Sequence, residues 1–274
     1  MHDSFPILDD HFHINHRTGV GATVVREFMR SGGTHIVLVS LPSWSHDIYP
    51  SKSEDFRPVF DELFKTAAVV RAEGCGCYPL CGVHPTEIGK FCSRMSLANA
   101  EGLMCGALDV AAGYVAEGKA IGLKSGRPHY PVEQEVWDAS NRVLSHGLVL
   151  AKELGCALQI HAESGACGDV SDFAKAAGMD PARVVKHFAT CETPLHPSVT
   201  VREPFLAEWF AKKREFTLES DYMDDLSRPG AVNGPRSVPR RMQWMMKEGA
   251  VTAEDMWRVH SAVPEKIYGV EFAI

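Results

Sequence analysis

Short apolar runs of β-strand composition alternate with longer helical patterns along almost the whole of this 274-residue chain. The runs predict eight strands, at about residues 5–13, 35–41, 75–83, 119–124, 156–161, 183–188, 198–202 and 215–221. Helical patterns separate them at about 21–30, 55–73, 90–116, 132–154 and up to 177, and further helices occupy about 237–268. Connections of this length join parallel strands, so the chain is predicted to be an α/β protein, a single (β/α)₈ TIM-type barrel.

The alternative to a barrel is an open, doubly wound sheet. A glycine-rich loop after the first strand is typical of that fold, and the sequence has none there. No internal repeat, low-complexity tract or long Pro/Gly/Ser linker divides the chain. Because such barrels need about 250 residues, we expect one domain over residues 1–274.

Composition restricts the classes of partner. The formal net charge of −7 argues against tight, charge-driven binding to nucleic acid or to an anionic membrane surface. No segment is apolar enough to span a bilayer and no signal region opens the chain, so we expect a cytoplasmic protein. The eight cysteines lack the paired spacing of a structural zinc site and are interpreted as thiols in a reducing compartment.

Two histidines separated by one residue end the first predicted strand, in the segment LDDHFH. Side chains alternate along a strand, so His11 and His13 point to the same face. If that face lines a barrel, both imidazoles can bind one metal ion. Taken alone, the pair more often describes a polar strand end whose histidines hydrogen-bond to solvent.

Further residues of metal-binding type end the later strands. In a (β/α)₈ barrel the site lies at these carboxyl ends. In chain order they offer His84 in CGVHP, Lys124 in AIGLKSG, His161 in LQIHAES, His187 in VVKHFA, and Glu219 and Asp221 in TLESDYMDD. Alternation places Lys124 on the inner face of strand four, Gln159 with His161 on that of strand five, and Glu219 with Asp221 on that of strand eight. Each residue alone suits a structural role, but their common edge favours a metal site.

These motifs resemble the amidohydrolase superfamily, most closely the TatD-related metal-dependent hydrolases. The matching segments are LDDHFHI, GVHP, IHAE, KHFA and ESDYMDD, with HSAVPEKIYGVEF similar to the family's closing helix. The resemblance covers essentially the whole chain. It implies that His11, His13 and Asp221 hold one metal ion and that His161 and His187 hold a second.

The chain departs from the TatD pattern at strand four. TatD-like nucleases place a glutamate there to bridge the metals, whereas this chain has Lys124. In urease- and phosphotriesterase-like members of the superfamily, the bridge is a lysine carboxylated by carbon dioxide. We therefore expect a carbamate on Lys124 bridging two divalent ions; the alternative is a lysine that turns outward and leaves a single metal.

The ligand set predicts hydrolytic chemistry. We expect zinc, with manganese, iron, cobalt and nickel as the other ions that imidazole and carboxylate ligands suit. Two divalent ions make a shared water acidic, and Asp221 is placed to accept its proton as the catalytic base. A role for Asp221 as a ligand alone is the alternative. Glu219 either orients a ligand or makes a buried structural hydrogen bond.

Candidate substrate-binding residues follow strands three and four: His84, Arg127, His129 and Tyr130. An arginine fork suits a carboxylate or phosphate group. The alternatives are a loop salt bridge for Arg127 and packing beneath Pro85 for His84.

The predicted function is hydrolysis of a small, anionic ester, lactone, amide or phosphoester by a metal-activated water. The first alternative is TatD-like hydrolysis of DNA, which the net charge and Lys124 disfavour. The second is a metal-binding barrel without catalysis, which would need no open, water-bearing position. We expect a small-molecule partner and no membrane; a homo-oligomer is left open.

Overall fold

A computed structural model of the protein describes residues 5–227 and 233–272. Within these ranges the chain forms nine β-strands, and all the pairs between them are parallel. They are β1 (Leu8–His13), β2 (His35–Val39), β3 (Gly76–Gly82), β4 (Gly122–Gly126), β5 (Ala157–His161), β6 (Val184–Ala189), β7 (His196–Thr200), β8 (Thr217–Glu219) and β9 (Tyr222–Met223).

The strands form a ring that closes on β1. Their order is β8-β7-β6-β5-β4-β3-β2-β1-β9. β8 and β9 belong to one stretch of chain, interrupted by Ser220 and Asp221, and β9 pairs with Phe12 and His13 of β1. The predicted (β/α)₈ barrel is therefore confirmed, while a single domain over residues 1–274 stays a prediction.

The last two predicted strands differ from the structure in detail. The run predicted over 215–221 is split, because Asp221 adopts a left-handed backbone conformation with φ of 53°. β7 begins at His196, two residues before the predicted start, because His196 pairs with Val185. The other strands overlap their predicted ranges.

Ten α-helices lie within the described residues. They are α1 (Thr23–Arg30), α2 (Arg57–Ala72), α3 (Glu87–Cys92), α4 (Leu97–Ala116), α5 (Gln134–Leu154), α6 (Gly168–Ala176), α7 (Leu206–Ala211), α8 (Ser237–Lys247), α9 (Ala253–Trp257) and α10 (Val263–Tyr268). The helix predicted over 90–116 is two helices, because Ser96 caps α4 by accepting from the Asn99 amide at 3.3 Å. None of the helices in the described ranges is both long and apolar enough to cross a membrane.

Side chains alternate between the inside and the outside of the barrel as predicted. Leu158 and Ile160 of β5 belong to the apolar core between strands and helices. Gln159 and His161, on the opposite face of β5, contact residues of other strands across the barrel interior. On β5, the polar side chains therefore face the barrel interior.

The C-terminal segment fills part of the barrel interior. An apolar cluster joins the strand residues Leu8, Val37, Val39, Leu80, Ala157 and Val185 to Val263, Ile267, Tyr268 and Phe272. Burying these side chains removes apolar surface from water and packs α10 against the strands. The segment HSAVPEKIYGVEF, which the sequence analysis compared with a closing helix, therefore packs against the strands.

Two buried carboxylates connect β1 to β8. Asp10 accepts hydrogen bonds from Thr217 at 2.6 Å and from the Tyr268 hydroxyl at 2.7 Å. Asp9 accepts from the backbone amide of Ser220 at 3.0 Å. Burial raises the pKa of Asp9 to about 7 and that of Asp10 to about 6. Side chains therefore bridge the two strands at the point where the ring closes.

Candidate metal centre

A cavity of about 670 Å³ opens at the carboxyl ends of the strands. Eight predicted site residues line it: His11, His13, His84, Lys124, His129, His161, His187 and Asp221. They come from β1, β4, β5 and β6 and from the turns after β3, β4 and β8. The barrel thus brings together side chains that are far apart in the sequence.

His11 and His13 direct their Nε2 atoms at each other across 3.0 Å. Nδ1 of His13 donates to the Val39 carbonyl at 2.9 Å, and Nδ1 of His11 donates to Oε1 of Gln159 at 2.5 Å. A carbonyl oxygen can only accept, so each ring carries a proton on Nδ1. In the neutral rings, two Nε2 lone pairs therefore face one another with no proton between them.

Gln159 contacts His11 at the cavity, and sequence reasoning assigned it no role. Its Nε2 donates to the Asp10 carbonyl at 2.9 Å and to the Tyr268 hydroxyl at 3.2 Å. Reversing the amide would place Oε1 against that carbonyl oxygen, so these partners determine which end faces His11. The sequence signal that could have found Gln159 was strand alternation, which places it on the inner face of β5 with His161.

His161 and His187 form a second facing pair. Nδ1 of His161 and Nε2 of His187 are 3.0 Å apart. Nδ1 of His187 donates to Glu219 at 2.9 Å, and Glu219 also accepts from the Phe188 amide at 2.9 Å and the Ser198 hydroxyl at 2.6 Å. Glu219 therefore makes a buried hydrogen bond that orients His187.

Asp221 brings a carboxylate to the histidines. Its Oδ1 lies 3.8 Å from Nε2 of His11, and its side chain is 17% exposed. The rings of His11 and His187 stack with centroids 3.8 Å apart. Potential ligand atoms of His11, His187 and Asp221 all lie within 4.8 Å of one another. Asp221 has a left-handed backbone with φ of 53°, a strained conformation that tends to concentrate at functional sites.

Burial favours the neutral form of five cavity imidazoles. It lowers the pKa of His13 to about 3. It also places the pKa well below the ordinary range for His11, His84, His161 and His187. The positive charge of Lys124 acts in the same direction. Neutral imidazole is the form that binds metal ions.

Lys124 lies on β4, opposite Gly82 of β3. Its side chain is buried, and burial lowers the pKa of its amine to about 7 against the opposing charges of Asp221 and Glu219. Position 82 has to be glycine, because a Cβ there would lie 1.9 Å from the carbonyl oxygen of Lys124. Lys124 lines the cavity, so its side chain lies inside the barrel, as alternation predicted.

His84 and His129 lie beside His161 in the cavity lining. Nδ1 of His129 is 2.7 Å from Nε2 of His161, and the ring of His84 lies 4.6 Å from that of His161. Nδ1 of His84 is hydrogen-bonded to the Thr86 hydroxyl at 2.7 Å. Each of these two rings therefore has its Nε2 left for another partner.

The structure places Arg127 differently from the prediction. It is 1% exposed, ion-paired to both Glu163 and Asp169, and its guanidinium lies 4.5 Å from the ring of Trp137. We therefore correct its interpretation as a substrate-binding residue: it holds the segment after β5, which is the loop salt bridge first given as the alternative. Tyr130 is 40% exposed and also lies outside the cavity lining.

The donor set fits divalent metal ions. Four neutral imidazoles meet in two facing pairs, and one pair directs two lone pairs at each other across 3.0 Å. A cation between those nitrogens would remove their repulsion, and Asp221 would contribute negative charge. Such nitrogen and carboxylate ligands suit zinc, manganese, iron, cobalt or nickel.

Comparison with known families agrees with this chemistry. A model of the family described as TatD related DNase matches residues 8–202. The chain belongs to this family. The TatD-related protein is accordingly a metal-dependent hydrolase, as its sequence motifs predicted.

Other comparisons extend over nearly the whole TatD-related chain. A protein of Methanocaldococcus jannaschii, described as "Uncharacterized protein MJ1127", is 34% identical over 284 residues, which cover 99% of this chain and 98% of that protein. A variant of the organophosphorus hydrolase from Deinococcus radiodurans has a TM-score of 0.60 at 13% identity, covering 97% of this chain and 93% of that one. A variant of a PTE-like lactonase from the same organism has a TM-score of 0.59 at 12% identity, covering 97% and 95%. At these identities the two structures show a shared barrel fold.

Proposed function

We propose that this TatD-related protein hydrolyses a small, anionic ester, lactone, amide or phosphoester with a metal-activated water. The observation that supports the proposal most directly is the pair of neutral imidazoles whose Nε2 atoms face each other in the cavity. A volume of about 670 Å³ is within the range of small-molecule sites.

Two divalent ions would be held by the facing pairs. His11, His13 and Asp221 would bind the first, and His161 and His187 the second. Zinc is the ion we expect, with manganese, iron, cobalt and nickel as alternatives. When bound, such ions acidify a water molecule and polarise the substrate oxygen.

Lys124 would bridge the two ions as a carbamate. Its position on the inner face of β4 supports this role, since protonated lysine beside two dications would be strongly repelled. The neutral amine forms an N–C bond to carbon dioxide and releases a proton to solvent. The product is an anionic group with two oxygen ligands, which replaces the glutamate usual at this position in TatD-like nucleases.

Asp221 would move the proton. One of its carboxylate oxygens takes the proton of the attacking water and then gives it to the leaving group. Its side chain lies in the cavity lining, 17% exposed and 3.8 Å from Nε2 of His11, which supports this role. Nε2 of His84 and Nε2 of His129 are the atoms we assign to the substrate, because Nδ1 of each ring already has a hydrogen-bonded partner.

The second candidate is hydrolysis of DNA. The description of the matching family favours it. The net charge of −7 disfavours it, because DNA affinity depends on neutralising phosphates. Lys124 of β4 also disfavours it, because TatD-like nucleases have a glutamate at that position. The ligand set itself suits phosphodiester and carboxylic ester cleavage alike.

The test is elemental analysis of the purified protein combined with assays on lactones, carboxylic esters, phosphoesters and single-stranded DNA. We expect bound divalent metal and turnover of a small substrate, both lost in His13→Ala. His146→Ala is the matched control, because His146 lies on α5 and contacts Asp109 outside the site. Turnover of DNA alone would select the nuclease, and full metal occupancy without turnover would select the non-catalytic barrel.

A further inference from the structure

Arg17 and Asp47 form an ion pair in the lining of the metal cavity. Arg17 lies on the loop between β1 and α1, and Asp47 directly follows the 3₁₀ turn Ser43–His46 after β2. The Arg17 guanidinium contacts the Asp47 carboxylate and also donates to the His46 carbonyl at 3.0 Å. The pair therefore connects two loops at the rim of the cavity.

The backbone that carries Arg17 is held in place. Buried Asp224 accepts hydrogen bonds from the backbone amides of Asn15, Val20 and Gly21 at 3.1, 2.8 and 2.8 Å. The side-chain oxygen of Asn15 accepts from the Arg17 amide at 2.8 Å. These hydrogen bonds hold the backbone of the loop and so position the Cα atom of Arg17.

The turn before Asp47 is held in a similar way. Buried Glu87 accepts from the backbone amides of Ser43 at 3.0 Å and of His84 at 3.1 Å. Asp47 itself has a left-handed backbone with φ of 54°, which only a few residue types adopt readily. Both members of the pair thus project from rigid backbone.

Their side chains, in contrast, are open to water. The side chain of Arg17 is 53% exposed and that of Asp47 is 63% exposed, whereas Arg127 is 1% exposed. Ion pairs in such settings are screened and contribute little to stability. The Asp47 carboxylate can therefore be replaced by another anion without disturbing the fold.

We propose that Arg17 recognises the anionic group of the substrate, and that Asp47 occupies its guanidinium until a substrate carboxylate or phosphate takes that place. This inference rests on the proposed function, from which it takes an anionic substrate. Among the described residues that line the cavity, Arg17 is the one arginine. Its planar fork can bind either anion through two parallel hydrogen bonds.

Direct anion binding tests the proposal. Succinate and inorganic phosphate are titrated calorimetrically into the metal-loaded protein, which separates carboxylate from phosphate recognition. Arg17→Met should weaken binding of the preferred anion about tenfold, and Asp47→Asn should strengthen it about threefold or more, because the competing carboxylate is gone. Arg26→Met is the matched control, since Arg26 is an exposed arginine paired with Glu73 outside the cavity.

A second measurement uses two esters of equal size, 4-nitrophenyl hydrogen succinate and 4-nitrophenyl 4-methylpentanoate. Arg17→Met should raise KM for the anionic ester and leave that for the neutral ester unchanged. Equal effects on both esters, or anion affinities unaltered in Arg17→Met and Asp47→Asn, would overturn the assignment, as would failure of the wild type to bind either anion. Anion binding that depends on Arg17 without ester turnover would instead count against the hydrolytic function and leave this inference standing.

Discussion

Oε1 of Gln159 accepts a hydrogen bond from Nδ1 of His11 at 2.5 Å, and this contact determines which nitrogen of the imidazole carries the proton. The amide is held in turn by Tyr268, whose hydroxyl donates to Asp10. A residue near the C-terminus thereby orients a side chain of the first strand. Such partners behind a ligand commonly affect metal affinity as well as ligand geometry.

Gln159→Leu should weaken metal binding by about 10- to 100-fold, because His11 loses the acceptor that keeps its proton on Nδ1. Titration of the metal-free protein with cobalt, followed by its absorption spectrum, measures this affinity. Gln134→Leu, at the exposed start of α5, is the control and should bind cobalt normally. An unchanged affinity in Gln159→Leu would show that His11 does not depend on this contact.

Replacement of each proposed ligand of the first ion should remove metal and activity together. His11→Ala, His13→Ala and Asp221→Ala each delete one donor from the cluster at the cavity. Elemental analysis and hydrolysis assays measure the two losses. Intact metal content in all three variants would rule out the proposed assignment of ligands.

Asp221→Asn should separate metal binding from proton transfer. The amide retains an oxygen donor but cannot take up the proton of the water, so turnover should fall by a factor of about 10² or more while part of the metal remains. Metal content and kcat are measured on the same preparation. A variant with full metal and near-normal kcat would leave Asp221 as a ligand only.

Lys124→Ala should abolish activity, and a short carboxylic acid added with metal should restore part of it by replacing the carbamate oxygens. A crystal structure should show three extra heavy atoms on Lys124 and metals about 3.5–4 Å apart. Carbon-13 NMR with labelled bicarbonate should give a carbamate signal that Lys124→Ala lacks. Lys186→Met, which removes another buried lysine, should keep that signal. An unmodified Lys124 in fully metal-loaded crystals grown with bicarbonate would exclude the carbamate.

The metal-free protein should lose stability in acid partly through His260. Burial lowers the pKa of His260 to about 4 from its usual value of 6.5, and Nδ1 of the ring accepts from the Leu8 amide at 3.1 Å. As the pH falls, His260 is protonated in the unfolded chain before it is protonated in the folded protein. The stability that depends on its neutral form is therefore fully present above pH 6.5 and is lost as the pH falls toward 4. In this window, His260→Phe should reduce the slope of the free energy of unfolding against pH by up to about 1.4 kcal/mol per pH unit.

Urea unfolding between pH 7 and 4.5, with chelator present, measures that slope. The difference between the wild type and His260→Phe isolates this histidine from the other titrating groups. Identical slopes in the wild type and His260→Phe would show that His260 does not titrate differently in the two states.

Local patterns were sufficient for the barrel and for the face on which most of the predicted cavity residues lie. Strand alternation placed His11, His13, Lys124 and Gln159 on the inner face, and the structure agrees. This works because inside and outside follow a two-residue period that adjacent residues already define. Membership of the TatD-related family followed from motifs at the strand ends.

Only the tertiary structure decided how these residues are partnered. Arg127 and Arg17 are both arginines in loops after strands, yet the first is buried between carboxylates and the second lies at the cavity. The sequence by itself determined the fold and the face on which each strand residue lies, because those properties follow the periodic pattern along the chain. It also determined the family, through motifs that are local in the sequence. The partner of Gln159, the closure of the ring at Asp221 and the loop pair Arg17–Asp47 depend on contacts between distant segments, and folding alone brings those segments within hydrogen-bonding distance.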